Sequence, residues 1–175
     1  MNTFKYINGS LHCEGVDLSL LGERYATPSY VYSKKIIEEN AKAYVNSFTN
    51  SANLACYAVK SLSNLSILKI IKDAGCGFDI VSGGELHRVL SIGADPKKVI
   101  FSGVGKTKNE IQQGINSSIL SFNVESESEL YRIEKIADDI ESPAPISIRI
   151  NPDIDSGGHD YITTGRKGDK FGISD

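Results

Sequence analysis

Gly77-Phe78-Asp79-Ile80-Val81-Ser82-Gly83-Gly84-Glu85-Leu86 is one phrase of a pattern that sets the fold. Phe78 to Val81 form a short apolar, β-branched run that reads as a buried strand. Ser82 and Glu85, three residues apart, read as a capping box: the hydroxyl accepts the amide of the third helical residue while the glutamate reaches back to the cap amide. The phrase recurs along the chain. Further strand candidates lie at 54–59, 99–102, 119–124 and 146–150, and Thr107 with Glu110 and Ser126 with Glu129 repeat the box. Gly75, Gly93 and Gly114 stand where the intervening helices should end. Strands alternating with helices imply a parallel sheet covered by helices, an α/β fold. An open doubly wound sheet and a (β/α)8 TIM-type barrel both satisfy the pattern. The closing Lys170-Phe171-Gly172-Ile173, with Ser174-Asp175 as a cap lacking its helix, favours a partial barrel of about five βα units.

Residues 1–28 lack the repeat. Asn8-Gly9-Ser10 sits between apolar stretches as a hairpin turn would. This segment reads as a short strand element associated with a β domain outside the chain, and residues 29–175 as the incomplete barrel. Tyr30-Val31-Tyr32 reads as a strand, and Ser33 as the cap of a helix over 34–48.

The 175 residues suffice for one core, with the apolar and charged content of a soluble globular domain. A net charge of −3 gives no reason to expect nucleic acid or an acidic membrane as partner. No apolar run approaches a membrane span and no secretory pattern opens the chain. Three irregularly spaced cysteines fit reduced thiols and a cytoplasmic protein.

Polar residues recur at the carboxyl ends of the strands: Lys60, Asp79 and Ser82, Ser102 to Lys106, Asn123 and Glu125, Arg149 and Asn151. In a parallel α/β structure these ends share one face, where active sites are built. Lys60 closes the apolar run Cys56-Tyr57-Ala58-Val59. It reads either as a lysine snorkelling from a strand end or as an amine partly desolvated at the barrel mouth, and desolvation favours the neutral form that attacks carbonyls. Ser102-Gly103-Val104-Gly105-Lys106-Thr107 imitates the tail of a phosphate loop, but the pattern needs glycine where Ile100 stands. His12, His87 and His159 show no metal-ligand spacing.

Tyr57-Ala58-Val59-Lys60-Ser61 resembles the cofactor-lysine strand of the fold-type III pyridoxal-phosphate enzymes, the group of alanine racemase and the ornithine, arginine and diaminopimelate decarboxylases. The motif opened with above, then Ile100 to Thr107, Phe122-Asn123-Val124-Glu125-Ser126, Arg149-Ile150-Asn151-Pro152-Asp153, Thr164-Gly165 and Lys170-Phe171-Gly172-Ile173 follow in family order. The combination is nearer the diaminopimelate decarboxylases than the racemases. The resemblance implies a cofactor, pyridoxal 5'-phosphate, carried by Lys60 as the catalytic lysine, with Asp79, Glu85 and Arg149 also on the cofactor site and no metal. For Glu85 the capping box is an equally good account. It further implies a lid over about 153–169, and a chain that is the amino-terminal part of a homodimeric enzyme converting meso-diaminopimelate to L-lysine, inactive alone. The ring-stacking histidine, the phosphate loop, the acidic partner of the ring nitrogen and a cysteine segment would lie outside it. An ornithine or arginine decarboxylase of the same fold, or a cofactor-binding protein without turnover, are the alternatives.

Overall fold

The computed structural model describes residues 3–47, 52–154 and 172–174. Its centre is a five-stranded sheet in the order β4-β5-β6-β7-β8, parallel throughout: β4 (Cys56–Ala58), β5 (Gly77–Ile80), β6 (Val99–Phe101), β7 (Ser121–Val124) and β8 (Ile146–Ile148). Helices α3 (Leu65–Asp73), α4 (Gly83–Ser91), α5 (Lys108–Asn116) and α6 (Glu127–Asp139) connect consecutive strands. Each strand thus has its sequence neighbour as its sheet neighbour, the arrangement of an incomplete β/α barrel rather than of a doubly wound sheet with a reversal of strand order.

Alternation of side chains explains the core. Phe78, Ile80, Val99, Phe101, Phe122 and Val124 share one parity and are buried. They pack with Leu68 and Ile71 of α3, Leu86 and Val89 of α4, Ile111 and Ile115 of α5, and Ile133 and Ile136 of α6. Ile146 and Ile148 continue the row on β8 but stay exposed at the sheet edge.

The amino-terminal segment forms an antiparallel sheet of β1 (Phe4–Ile7), β2 (Ser10–Cys13) and β3 (Val16–Asp17), followed by α1 (Leu18–Tyr25) and α2 (Lys34–Val45). Asn8 and Gly9 turn β1 into β2, both with positive φ (50° and 86°), as a tight hairpin of this hand requires. Ser33 caps α2 as expected. Its hydroxyl also donates to Glu14 Oε1, which accepts the Lys35 amide as well, so the hairpin is tied to the helix start. Two minor strands, β9 (Ile150–Asn151) and β10 (Ile173–Ser174), pair in parallel.

Three local expectations are corrected. Tyr30-Val31-Tyr32 forms no strand; Tyr30 is 90% exposed, with its ring stacked on Tyr32. Gly114 does not end α5 but lies inside it, where a Cβ would come within 2.6 Å of Phe122 Cζ. Only Thr107 and Glu110 form the full reciprocal box. Ser82 and Ser126 do accept the amides of Glu85 and Glu129, but those carboxylates reach one residue further back, to the amides of Val81 and Glu125. They fasten each helix to the strand before it rather than to its own cap.

Two outcomes follow for stability. Gly114→Ala gains about 1 kcal/mol of helix propensity but drives a methyl into a closed aromatic contact, an overpacking cost of roughly 1–3 kcal/mol. A net loss should appear as a lower urea midpoint; a raised midpoint would contradict the close approach. Glu110 is held below its ordinary carboxylate value near 4.5, chiefly by the Gly83 amide it accepts and then by the Thr107 amide and hydroxyl, against burial. A depressed carboxylate contributes stability above its unfolded pKa, and that contribution is lost as pH falls through the folded value. Glu110→Gln should therefore flatten the acid limb of a stability–pH curve and leave its alkaline limb unmoved.

Candidate active site

The strand register that buries the aromatic row gathers the polar one on the opposite face. Asp79 pairs with Ile100, so Ser102, two residues on, faces the same way. Ile100 pairs with Ser121, which sets Asn123 level with Ser102. Asn123 pairs with Ser147, which carries Glu125 and Arg149 to the rim one pleat further out. Lys60 comes from the single helical turn Val59–Ser61 after β4. Lys60, Asp79, Ser102, Asn123, Glu125 and Arg149 line one cleft of about 670 Å³ at the carboxyl ends of the strands, with Val81 and the Gly103–Gly105 loop in its wall.

Hydrogen bonds cross this face from strand to strand. Asn123 Nδ2 donates to Ser102 Oγ at 2.9 Å, and Ser102 Oγ donates to Asp79 Oδ1 at 2.5 Å. One oxygen of Asp79 is thereby fixed. The Glu125 side chain is only 2% exposed; its Oε1 accepts from Arg149 at 3.4 Å and from the Gly103 amide at 3.4 Å. Its Oε2 is buried with no hydrogen-bond partner among the described residues.

Beneath the rim lies a buried ion pair. Lys106 Nζ donates to Glu129 Oε1 at 2.8 Å, to the Gly103 carbonyl at 2.6 Å and to the Asn123 carbonyl at 2.8 Å, so its three protons are all engaged. Glu129 Oε2 takes the Glu125 amide at 2.8 Å. The pair therefore holds three cleft-lining residues by their backbones.

Of the residues singled out in the sequence, the structure brings Lys60, Asp79 and Arg149 together in the cleft. Glu85 does not line it; its carboxylate secures the Val81 amide at the cleft wall. Lys60 is exposed rather than partly desolvated, standing on the helical turn that follows β4. Cys56, on the strand before it, has its thiol pushed up to about 11, first by burial and then by the nearby Asp79, which disfavours the thiolate. Lys106, with its phosphate-loop look, is spent on internal acceptors. Gly83, at the start of α4, donates to Glu110 Oε1, so that helix end already holds a carboxylate. Among the described residues no group of three or more His, Cys, Asp or Glu could hold a metal, and no helix is long and apolar enough to cross a membrane. The expected lid falls largely on residues 155–171, with His159, outside the described residues.

The Lys106–Glu129 pair and the Ser102–Asn123 relay were not read from the sequence. Glu129 has a cap to explain it, and nothing local links it to a lysine 23 residues earlier. The one usable signal was parity: Ser102, Asn123 and Glu125 stand on the face that Asp79 defines.

Residues 34–175 match the family described as pyridoxal-dependent decarboxylase, pyridoxal binding domain. The chain is 48% identical over 174 residues to a diaminopimelate decarboxylase of Pseudomonas aeruginosa, covering 99% of this chain and 42% of that one. It superposes on the crystal structure of diaminopimelate decarboxylase from Helicobacter pylori complexed with L-lysine, with a TM-score of 0.87, 44% identity, 90% of this chain and 40% of that chain. For the M. jannaschii diaminopimelate decarboxylase in co-complex with L-lysine the TM-score is 0.88 at 36% identity, covering 99% and 41%. The chain thus spans about two fifths of the length of these relatives.

The buried pair sets a clear expectation. Lys106→Met leaves Glu129 charged, buried and without its cation, a loss of roughly 3–5 kcal/mol. Adding Glu129→Gln keeps an acceptor for the Glu125 amide while removing the stranded charge, so the double variant should recover part of that loss in chemical denaturation. A loss under about 1 kcal/mol for Lys106→Met would mean the pair behaves like an exposed one.

Proposed function

This chain belongs to the family of pyridoxal-dependent decarboxylases, and on that premise we propose that it forms the lysine-bearing part of an enzyme that removes one carboxylate from meso-diaminopimelate to give L-lysine. The observation that carries the reading is the convergence of Lys60, Asp79 and Arg149 on one cleft at the strand ends, Asp79 and Arg149 by strand register and Lys60 by the turn after β4. The names of relatives 36–49% identical over most of the chain support the substrate.

The cleft fits pyridoxal phosphate by its donor set. An accessible amine, a guanidinium and two carboxylates line it, one of them with a buried oxygen that has no hydrogen-bond partner among the described residues, and its volume suits a small ligand. Lys60 would carry the group covalently; its exposure at the mouth lets it reach an incoming aldehyde. Asp79, fixed by Ser102 and Asn123, and Arg149, beside Glu125, would hold and orient it. Glu85 contributes at one remove by fastening Val81 in the wall. When bound, the pyridoxal ring supplies the sink for the electron pair left as the carboxylate departs. The chain's own task is orientation, because small displacements at the reacting centre cost rate steeply. In this reading residues 1–28 join a β domain, residues 29–175 form part of the barrel, and the whole enzyme is a cytoplasmic homodimer.

Two measurements test the assignment in the protein as its gene encodes it. Borohydride reduction with pyridoxal phosphate should leave a pyridoxyl group on the Lys60 peptide, absent in Lys60→Ala; a group mapped to Lys106 instead would overturn the site. Turnover of meso-diaminopimelate, ornithine and arginine should favour the first and fall to background in Lys60→Ala. A preference for ornithine or arginine would leave the cofactor assignment standing and reject the substrate.

A further inference from the structure

Arg149 and Glu125 face each other across the rim in a way the cofactor reading alone does not require. The Glu125 carboxylate is almost fully buried, whereas the Arg149 side chain is 39% exposed. One carboxylate oxygen takes both the guanidinium and the Gly103 amide, each at the long distance of 3.4 Å, and the other takes nothing among the described residues. A buried carboxylate with half its acceptor capacity idle is costly and uncommon in folded proteins. Packing does not require it, since an apolar side chain would fill the same space without that cost.

Both backbones are pinned. The Arg149 amide donates to the Val124 carbonyl at 2.9 Å, and the Glu125 amide is held by Glu129 at 2.8 Å. The guanidinium therefore moves only by side-chain rotation about a fixed root. Arginine and carboxylate prefer two parallel hydrogen bonds, and Glu125 Oε2 is the oxygen that would accept the second.

We infer that Glu125 is a positioning residue: it is the buried counter-charge that keeps the Arg149 guanidinium turned into the cleft, where it meets an anionic oxygen of the bound molecule. This rests on the reading of the cleft as the pyridoxal phosphate site. The anionic oxygen belongs either to the cofactor or to the amino-acid substrate, and both are within the chemistry of a guanidinium.

The test is a double-mutant cycle in the whole gene product with Glu125→Gln, Arg149→Gln and the pair, each checked for an unchanged melting temperature. Cofactor affinity is read by titrating apoprotein with pyridoxal phosphate and following visible absorbance; KM and kcat are read separately with the amino acid. Glu125→Gln should weaken one of these two affinities roughly tenfold, the scale of a charge-assisted hydrogen bond. It should have little further effect once Arg149 is Gln. A change in cofactor titration places the anion on the cofactor, and a change in KM alone places it on the substrate. Glu125→Asp should restore part of the loss, which a merely structural role would not predict. Additive effects of the two substitutions, or no change in either affinity, would overturn the inference while wild-type cofactor binding leaves the site reading intact. Wild-type protein that takes up no pyridoxal phosphate would overturn both. Should Glu125→Gln not fold, Arg149→Lys decides in its place: a point charge that cannot make the fork should reproduce the tenfold loss, and wild-type affinity would reject the inference.

Discussion

The Lys106–Glu129 ion pair is the constraint on which the site depends. Neither charge reaches solvent, and removing two ions from water costs more than their attraction alone returns. The remaining compensation comes from hydrogen bonds, and each of these ends on the cleft: the Gly103 and Asn123 carbonyls on the lysine, the Glu125 amide on the glutamate. An apolar pair of similar volume could fill the space, but it could not hold backbone groups of the loop after β6 and of the end of β7 at fixed points. The pair thus converts a desolvation penalty into positional definition beneath Ser102, Asn123 and Glu125, and the polar rim inherits its geometry from it.

Above that anchor, the alternation of the strands divides the molecule into two faces with different tasks. The helix-facing row is aromatic and closed, with Phe101 and Phe122 stacked 5.9 Å apart and Gly114 providing the space the second ring needs. The opposite row is polar and open. One register serves both, so a slip of one residue in β5, β6 or β7 would exchange Phe78, Phe101 or Phe122 for Asp79, Ser102 or Asn123. Packing against the helices therefore specifies the site as firmly as any contact within it.

Much of this was legible in the sequence, for identifiable reasons. The strand–helix order, Ser33 as a cap, and Lys60, Asp79 and Arg149 as strand-end residues all follow from patterns local to a few positions. What failed was also local in origin. Ser82-x-x-Glu85 and Ser126-x-x-Glu129 have the spacing of a capping box, yet spacing does not say which amide the carboxylate accepts, and both chose the strand. Tyr30-Val31-Tyr32 has strand propensity but pairs with no strand among the described residues. Gly114 looks like a helix stop because the need for it lies in Phe122, eight residues on in another element. Lys106 carried a misleading glycine-rich context, and its partner lies on a later helix.

The exposure of Lys60 takes on meaning in this setting. Every other charged residue of the cleft is restrained: Asp79 by a relay from two strands, Glu125 by burial and by Gly103, Arg149 by Glu125 and its root on Val124. Lys60 stands exposed on a short helical turn after β4. A residue that must join covalently to an incoming group and later give it up benefits from rotamer freedom, whereas residues that orient the group benefit from having none. The cleft thus combines one exposed nucleophile with a polar rim held from below by the Lys106–Glu129 pair and its backbone partners.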